Sequence, residues 1–165
     1  MSITARMKTA YLAPRRSVRQ LLQDGVGDQQ ILGFVMIACL LFFTAKVPEL
    51  SKTAHLNSEG PAFSTLVLGA FMGAMFFAPL FFYALAGVQR LVAKVVGGKG
   101  TWFSARLSLF WSLLLISPFV LFRGLLVAFN SNQAQATTIN SIIFWVFLAL
   151  WGAAIWECEK EGGTV

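Results

Sequence analysis

Four stretches of the chain lack charged residues and, together with their flanking polar residues, are long enough to cross a lipid bilayer. A bilayer core of about 30 Å requires about 20 apolar residues in a helix. The uncharged runs, extended to their flanking polar residues, predict four transmembrane helices over residues 30–48, 62–88, 104–128 and 139–157. The fold class predicted is therefore all-α, a polytopic membrane helical bundle. The uncharged run from residue 60 to residue 89 exceeds one straight crossing, so a five-helix alternative with a split second segment stays open.

Small residues and prolines inside these spans predict where the helices pack and bend. Gly69 and Gly73 lie four residues apart, a spacing that lets two membrane helices approach closely. We expect them to pack against another helix of the same chain, with homodimerisation as the alternative. Pro79 and Pro118 cannot donate the α-helical amide hydrogen bond, so both should kink their helices. Proline is ordinary in membrane helices, so we expect these kinks without a substrate site.

An amphipathic segment, PRRSVRQLLQDG, precedes the first span. As a helix, it places an apolar stripe opposite a basic face that carries Arg15, Arg16 and Arg19. The stripe consists of Tyr11, Pro14, Val18, Leu21 and Leu22. This pattern is typical of a helix that lies in the headgroup plane of a membrane. We therefore expect the arginines to contact anionic lipid, and the alternative is a docking surface for a protein partner.

Composition agrees with a membrane protein. Hydrophobic residues make up 57% of the chain and charged residues 12%, whereas about 25% of a soluble domain is charged. The mean hydropathy is +0.71. These values exclude an ordinary soluble domain.

The distribution of lysine and arginine predicts the orientation of the bundle. Five basic residues precede the first span, whereas the first connection contains only Lys46 and Lys52. The second connection is also basic and includes Lys94 and Lys99, which we likewise expect to contact lipid headgroups or a protein partner. The positive-inside rule therefore places both termini in the cytoplasm. Anionic lipid headgroups account for the net charge of +6, so no nucleic-acid partner is predicted.

Three regions follow from this topology: a cytoplasmic segment (1–29), a transmembrane domain (30–157) and a short tail (158–165). Candidate chemistry within them is sparse. The sole histidine, His55, has no second histidine or cysteine nearby to complete a metal site. The glycine-rich loop around Lys99 lacks the serine or threonine and the preceding glycine of a nucleotide-binding loop. We predict no catalytic, metal-ligating or cofactor-binding residue, and no cofactor.

Two further functional interpretations stay open. Ion transport normally requires ionisable groups inside the membrane, and those of this chain fall near the ends of the spans. A path for a neutral solute could still be lined by Ser64, Thr65, Tyr83, Ser112 and Ser117. The chain could also serve as an accessory subunit that binds a membrane-protein partner in a larger complex.

Two segments resemble the Yip1-domain family. PRRSVRQLLQDG is similar to the Pro-Arg-led amphipathic start of these proteins. LVAKVVGGKGTWFSARLSLFWSLLLISPFVL is similar to the family's second connection and third helix. The family's glycine pair, small polar residue, aromatic residue and mid-helix proline correspond to Gly97, Gly98, Gly100, Thr101, Trp102 and Pro118.

The resemblance covers about residues 9–157. It implies a non-catalytic protein that organises membranes or binds partners. Family members generally have five spans, whereas this chain shows four, and its compact form resembles the bacterial members. That similarity implies a bacterial inner membrane, and the Rab-GTPase binding of eukaryotic members is not carried over to this sequence.

Overall fold

The computed structural model describes residues 11, 14–56, 60–129 and 133–161, and all regular secondary structure in these residues is helical. Four of the five helices are long and apolar enough to cross a membrane, which confirms the predicted all-α bundle. The helices are α1 (Pro14–Gln23), α2 (Asp28–Leu56), α3 (Phe63–Val95), α4 (Trp102–Phe129) and α5 (Gln133–Glu161). Because α3 is continuous, the alternative with five transmembrane spans is not adopted.

Helix α4 lies at the centre of the bundle. Every side chain from Leu107 to Ser117 is buried, and α2, α3 and α5 pack around it. Trp111 contacts Phe34 of α2 at a ring-centroid distance of 5.3 Å. Phe110 packs edge-on against Tyr83 of α3 at 4.8 Å. Close packing of this kind drives helix association in lipid, where burial of apolar surface contributes little.

Two ion pairs bracket the contact between α2 and α4, which run parallel. Asp28 pairs with Arg106 at one end, with 3.0 Å between the charged atoms. Glu49 pairs with Arg123 at the other end, at 4.0 Å. The two arginines are 17 residues apart, about 25 Å along a helix. The charged pairs therefore lie about one bilayer core apart.

A close approach between two helices lies at a glycine that the sequence pattern did not indicate. A Cβ atom at Gly124 would collide with the backbone carbonyl of Ala45, so α4 and α2 touch there. A Cβ atom at Gly69 or Gly73 would meet no atom within 4 Å. The expected packing of these two glycines against another helix of this chain is therefore wrong. Small-residue spacing shows that a helix can be approached closely, but it does not show which face a neighbour covers.

Helix α3 departs from α-helical geometry just before Pro79. Residues Gly73–Phe77 form a π-helical segment, in which the amide of Ala78 bonds to the carbonyl of Gly73. A proline ring clashes with the carbonyl four residues earlier in an α-helix. The wider π turn relieves this clash, so the helix continues through Pro79.

Helix α4 continues through Pro118 because hydroxyl groups replace the missing backbone donor. Pro118 leaves the carbonyl of Leu114 without its amide partner, and the Ser117 hydroxyl donates to this carbonyl at 2.8 Å. The Tyr11 hydroxyl donates to the next carbonyl, that of Leu115, at 2.6 Å. The carbonyls exposed at a proline in a membrane helix are thus satisfied, as this environment requires.

Several helix ends extend beyond the predicted boundaries. Helix α2 continues through Pro48 to Leu56, α3 continues to Val95, and α5 covers Gln133–Glu161. The predicted boundaries followed charge and polarity, which mark where a helix leaves the bilayer and not where it stops. The predicted tail, 158–165, begins inside α5, and its last four residues lie outside the described part of the chain.

Two residues of the apolar stripe, Val18 and Leu21, face protein and not lipid. Val18 and Leu21 are each 1% exposed, and α1 packs against α5 and α4. Insertion of these two side chains into the membrane, as the amphipathic pattern suggested, is therefore wrong. The contact of Tyr11 with Leu115 lies nine residues beyond Arg106, about 14 Å into the bundle. Tyr11, which precedes α1, thus lies beside the middle of α4, and other helices of the same chain cover Val18 and Leu21.

Candidate functional site

The loop between α3 and α4 is built by two helix caps. Helix α3 ends in a Schellman motif, in which the amide of Gly98 bonds to the carbonyl of Ala93 at 2.8 Å. Gly97 has a φ of +87°, a left-handed conformation that favours glycine. Helix α4 begins with a reciprocal cap, because Thr101 and Ser104 each accept the other's backbone amide, at 3.1 and 2.9 Å. These caps fix the position of the glycine-rich segment between them.

The carboxylate of Glu159 lies on this loop. It accepts the Gly100 amide at 2.8 Å and pairs with Arg90 at 3.6 Å. A Cβ atom at Gly98 or Gly100 would collide with the carboxylate, so the glycines make room for it. The anion that this loop contacts is therefore a side chain of α5. Arg19 of α1 and Lys99 of this loop lie at the same end of the bundle, near Glu157 and Glu159 of α5, and we call it the basic end.

A side-chain amide joins three helices just below the loop. The Gln89 Nε2 of α3 donates to Ser108 Oγ of α4 at 2.9 Å. The Trp151 Nε1 of α5 donates to Gln89 Oε1 at 3.1 Å. The Ser108 hydroxyl donates onward to the Ala105 carbonyl at 2.9 Å. Gln89 therefore sets the spacing of α3, α4 and α5 at this depth.

A cleft of about 730 Å³ lies between the second half of α3 and the C-terminal part of α5. This volume falls within the range of ligand-binding clefts, about 300–1,000 Å³. Most of its lining is apolar, with Gln89 at its base and Glu159 and Lys99 near the loop. The wall residues Val92 and Trp156 are 59% and 57% exposed, so the cleft opens sideways, away from the bundle.

The predicted contact residues do not form a single site. Lys99 lines the cleft, whereas Lys94 is exposed and does not line it. Arg15 and Arg16 are exposed on α1. Arg19 pairs with Glu157 of α5 at 3.3 Å. The arginines of α1 therefore share the basic end of the bundle with Lys94 and Lys99 but belong to a separate surface.

The hydroxyls considered for a solute path are dispersed. Ser112 and Ser117 are buried and donate to backbone carbonyls of their own helix, α4. Ser64 and Thr65 are exposed near the start of α3. Tyr83 packs against the core, and none of these five residues lines the cleft.

Two residues of the site, Gln89 and Glu159, were not among the sequence-predicted candidates. Gln89 is the last residue of the long uncharged run of α3, and a polar amide at the end of a membrane span could have indicated a contact between helices. Glu159 lies 59 residues from its partner Gly100, so no local pattern connects them. In the described part of the chain, no three His, Cys, Asp or Glu side chains form a group able to hold a metal ion.

Similarity to known proteins does not add to this picture. No protein-family model matches the chain, and no curated protein or solved structure is significantly similar to it.

Proposed function

We propose that this protein is a Yip1-like, multi-pass protein of the bacterial inner membrane, with both termini in the cytoplasm. It binds a ligand or partner within the membrane and does not catalyse a reaction. The observation that carries this proposal is the cleft between α3 and α5, which is mostly apolar and opens sideways.

The polar groups of the cleft favour binding over catalysis. The Gln89 amide is occupied by its contacts with Ser108 and Trp151. The Glu159 carboxylate is occupied by Gly100 and Arg90. General acid–base catalysis requires a positioned group that can exchange a proton with the substrate. These side chains instead hold the helices that form the walls.

Photo-crosslinking tests the cleft as the binding site. A photoreactive residue at Val92, in the cleft wall, should give a discrete and saturable adduct in native membranes. The matched control is Leu80, a residue of the same helix that is 69% exposed but does not line the cleft. It should give only diffuse lipid labelling. Identical labelling at the two positions would contradict a specific site.

Flux measurements separate binding from transport. The protein reconstituted in sealed vesicles should conduct neither protons nor sodium, because its spans carry ionisable groups only near their ends. It should also pass no neutral solute through the hydroxyl set, since Ser112 and Ser117 are bonded to their own helix. A flux abolished by Tyr83→Phe or Ser117→Ala would overturn the proposal in favour of a carrier.

A further inference from the structure

We propose that the cleft between α3 and α5 binds a phospholipid with an anionic headgroup, taken from the leaflet at the basic end of the bundle. This inference rests on the binding function proposed above and names the class of ligand.

The cleft crosses the boundary between membrane hydrocarbon and headgroups. One wall runs from Leu85 in α3 to Val96 just after it, eleven positions or about 16 Å along the helix. The uncharged part of α3 ends at Gln89, and Arg90 follows it. The lower wall therefore lies beside acyl chains, and the upper wall reaches headgroup depth. Trp156 is half-exposed in the opposite wall, and tryptophan favours this interface.

A phospholipid crosses the same boundary with the same polarity. Its acyl chain would contact the apolar lower wall, and its phosphate would lie at the level of the glycine-rich loop. A polar, water-soluble metabolite would leave the exposed valine side chains of the wall without an apolar contact. A wholly apolar molecule would form no polar contact with the charged upper end.

The charge of the upper end selects an anionic headgroup. Lys99 lines the cleft and forms no ion pair with any acid of the described residues. The acid beside it, Glu159, is already neutralised by Arg90 and the Gly100 amide. The charge left for a ligand is therefore positive. Basic pockets between transmembrane helices bind anionic lipid headgroups in this way.

Helix geometry supplies a matched control for Lys99. Lys94 is an exposed lysine of the same basic end, but it lies two residues after Val92. Two residues correspond to about 200° around a helix, so Lys94 faces away from the cleft wall that Val92 forms. A general attraction of anionic lipid to the basic end would involve both lysines, whereas a lipid in the cleft requires Lys99.

Native mass spectrometry of the full chain in detergent tests the headgroup preference. The probes are phosphatidylglycerol and phosphatidylcholine with identical acyl chains, supplied in equal amounts. The wild-type chain should retain phosphatidylglycerol about fivefold more tightly, the effect of one lysine near an anionic lipid. Lys99→Ala should abolish this preference, and Lys94→Ala should leave it unchanged. Equal retention of the two lipids by the wild type, or equal loss in both variants, would overturn the proposal.

A steric variant tests the position of the acyl chain. Gly152 lines the cleft, and a Cβ atom there would meet nothing within 4 Å. Gly152→Leu should therefore fill the cleft without disturbing the helix and should reduce retention of both lipids. Gly69→Leu adds the same side chain at an open position outside the cleft and should have no effect. Unchanged retention in Gly152→Leu would place the lipid elsewhere and overturn the inference.

The crosslink at Val92 distinguishes failure of this inference from failure of the proposed function. A phosphatidylglycerol adduct supports both. A saturable adduct with a polypeptide overturns the lipid assignment but leaves the binding function standing. Labelling at Val92 that does not differ from labelling at Leu80 overturns both.

Discussion

At the scale of single residues, Gln89 is the side chain that links α3 to both α4 and α5, so its loss should weaken two helix contacts. Gln89→Leu keeps a side chain of similar size but removes the contacts with Ser108 and Trp151. We expect a loss of about 1 kcal/mol in the free energy of unfolding, the scale of interhelical hydrogen bonds in membranes. Unfolding by sodium dodecyl sulfate in mixed micelles measures this loss.

A double-mutant cycle shows whether the loss comes from the contact itself. Gln89→Leu and Ser108→Ala should be non-additive, because each removes the same hydrogen bond. Ser141→Ala is the control, since that exposed hydroxyl bonds only within α5, to the Thr137 carbonyl at 3.1 Å. Strict additivity of Gln89→Leu and Ser108→Ala would contradict the bridging role.

The stability of the bundle should depend on alkaline pH through the phenol of Tyr11. Burial raises the pKa of its phenol above the ordinary value of 10.0. The folded state therefore favours the protonated phenol, which donates to the Leu115 carbonyl. The stabilisation is fully present below pH 10 and is lost as pH rises through the folded-state pKa.

Tyrosinate absorbance can follow this titration at a single site. The chain has two tyrosines, so Tyr83→Phe leaves Tyr11 as the only one and keeps the ring contact with Phe110. The pKa of Tyr11 should be higher in the folded protein than in the denatured chain. Equal values would show that the phenol is not held in the bundle.

At the scale of helices, Gly124 is the position where α4 and α2 cannot tolerate a larger residue. Gly124→Ala places a methyl group against the backbone of Ala45, which cannot move aside as a flexible side chain could. Overpacking of this kind costs about 1–3 kcal/mol. Gly69→Ala should be neutral or stabilise by up to about 1 kcal/mol, since it gains helix propensity in open space. Thermal unfolding in detergent compares the two, and a larger loss for Gly69→Ala would indicate a contact outside the single chain.

Helix positions were largely predictable from the sequence, whereas contacts between helices were not. The uncharged run bounded by Arg106 and Arg123 predicted a helix over residues 104–128, and α4 covers Trp102–Phe129. Hydropathy works here because lipid imposes one rule along the whole segment. The contact of Glu159 with the glycine-rich loop depends on how α5 packs against α4. No spacing within one helix encodes that arrangement.

The same distinction explains the amphipathic segment. Its pattern correctly indicated a helix with one apolar and one basic face, and α1 has Val18 buried and Arg15 exposed. A pattern of this kind shows that an apolar face needs cover but does not show what covers it. In this chain the cover is protein, with the ion pair from Arg19 to Glu157 fixing α1 against α5.

At the scale of the whole molecule, the bundle has a strongly polarised distribution of basic residues. Among the described residues, its basic end carries Arg15, Arg16, Arg19, Arg90, Lys94, Lys99 and Arg106. The opposite end carries Lys46, Lys52 and Arg123. Several of these cations have acidic partners, but acids contribute little to the orientation of membrane proteins. The bundle should therefore insert with its basic end in the cytoplasm.

Reporter fusions test this orientation together with the number of spans. A reporter at the C terminus should be cytoplasmic, because α5 ends beside the loop that carries Lys99. A reporter between α4 and α5 should face the other side, since Arg106 and Arg123 lie one bilayer core apart. Replacing Lys94 and Lys99 by alanine should leave both signals unchanged, because the arginines of α1 still outnumber the basic residues of the first connection. If both reporters were found on one side, either α4 or α5 would fail to cross the membrane, and the cleft beside α5 would lose its place at the headgroup boundary.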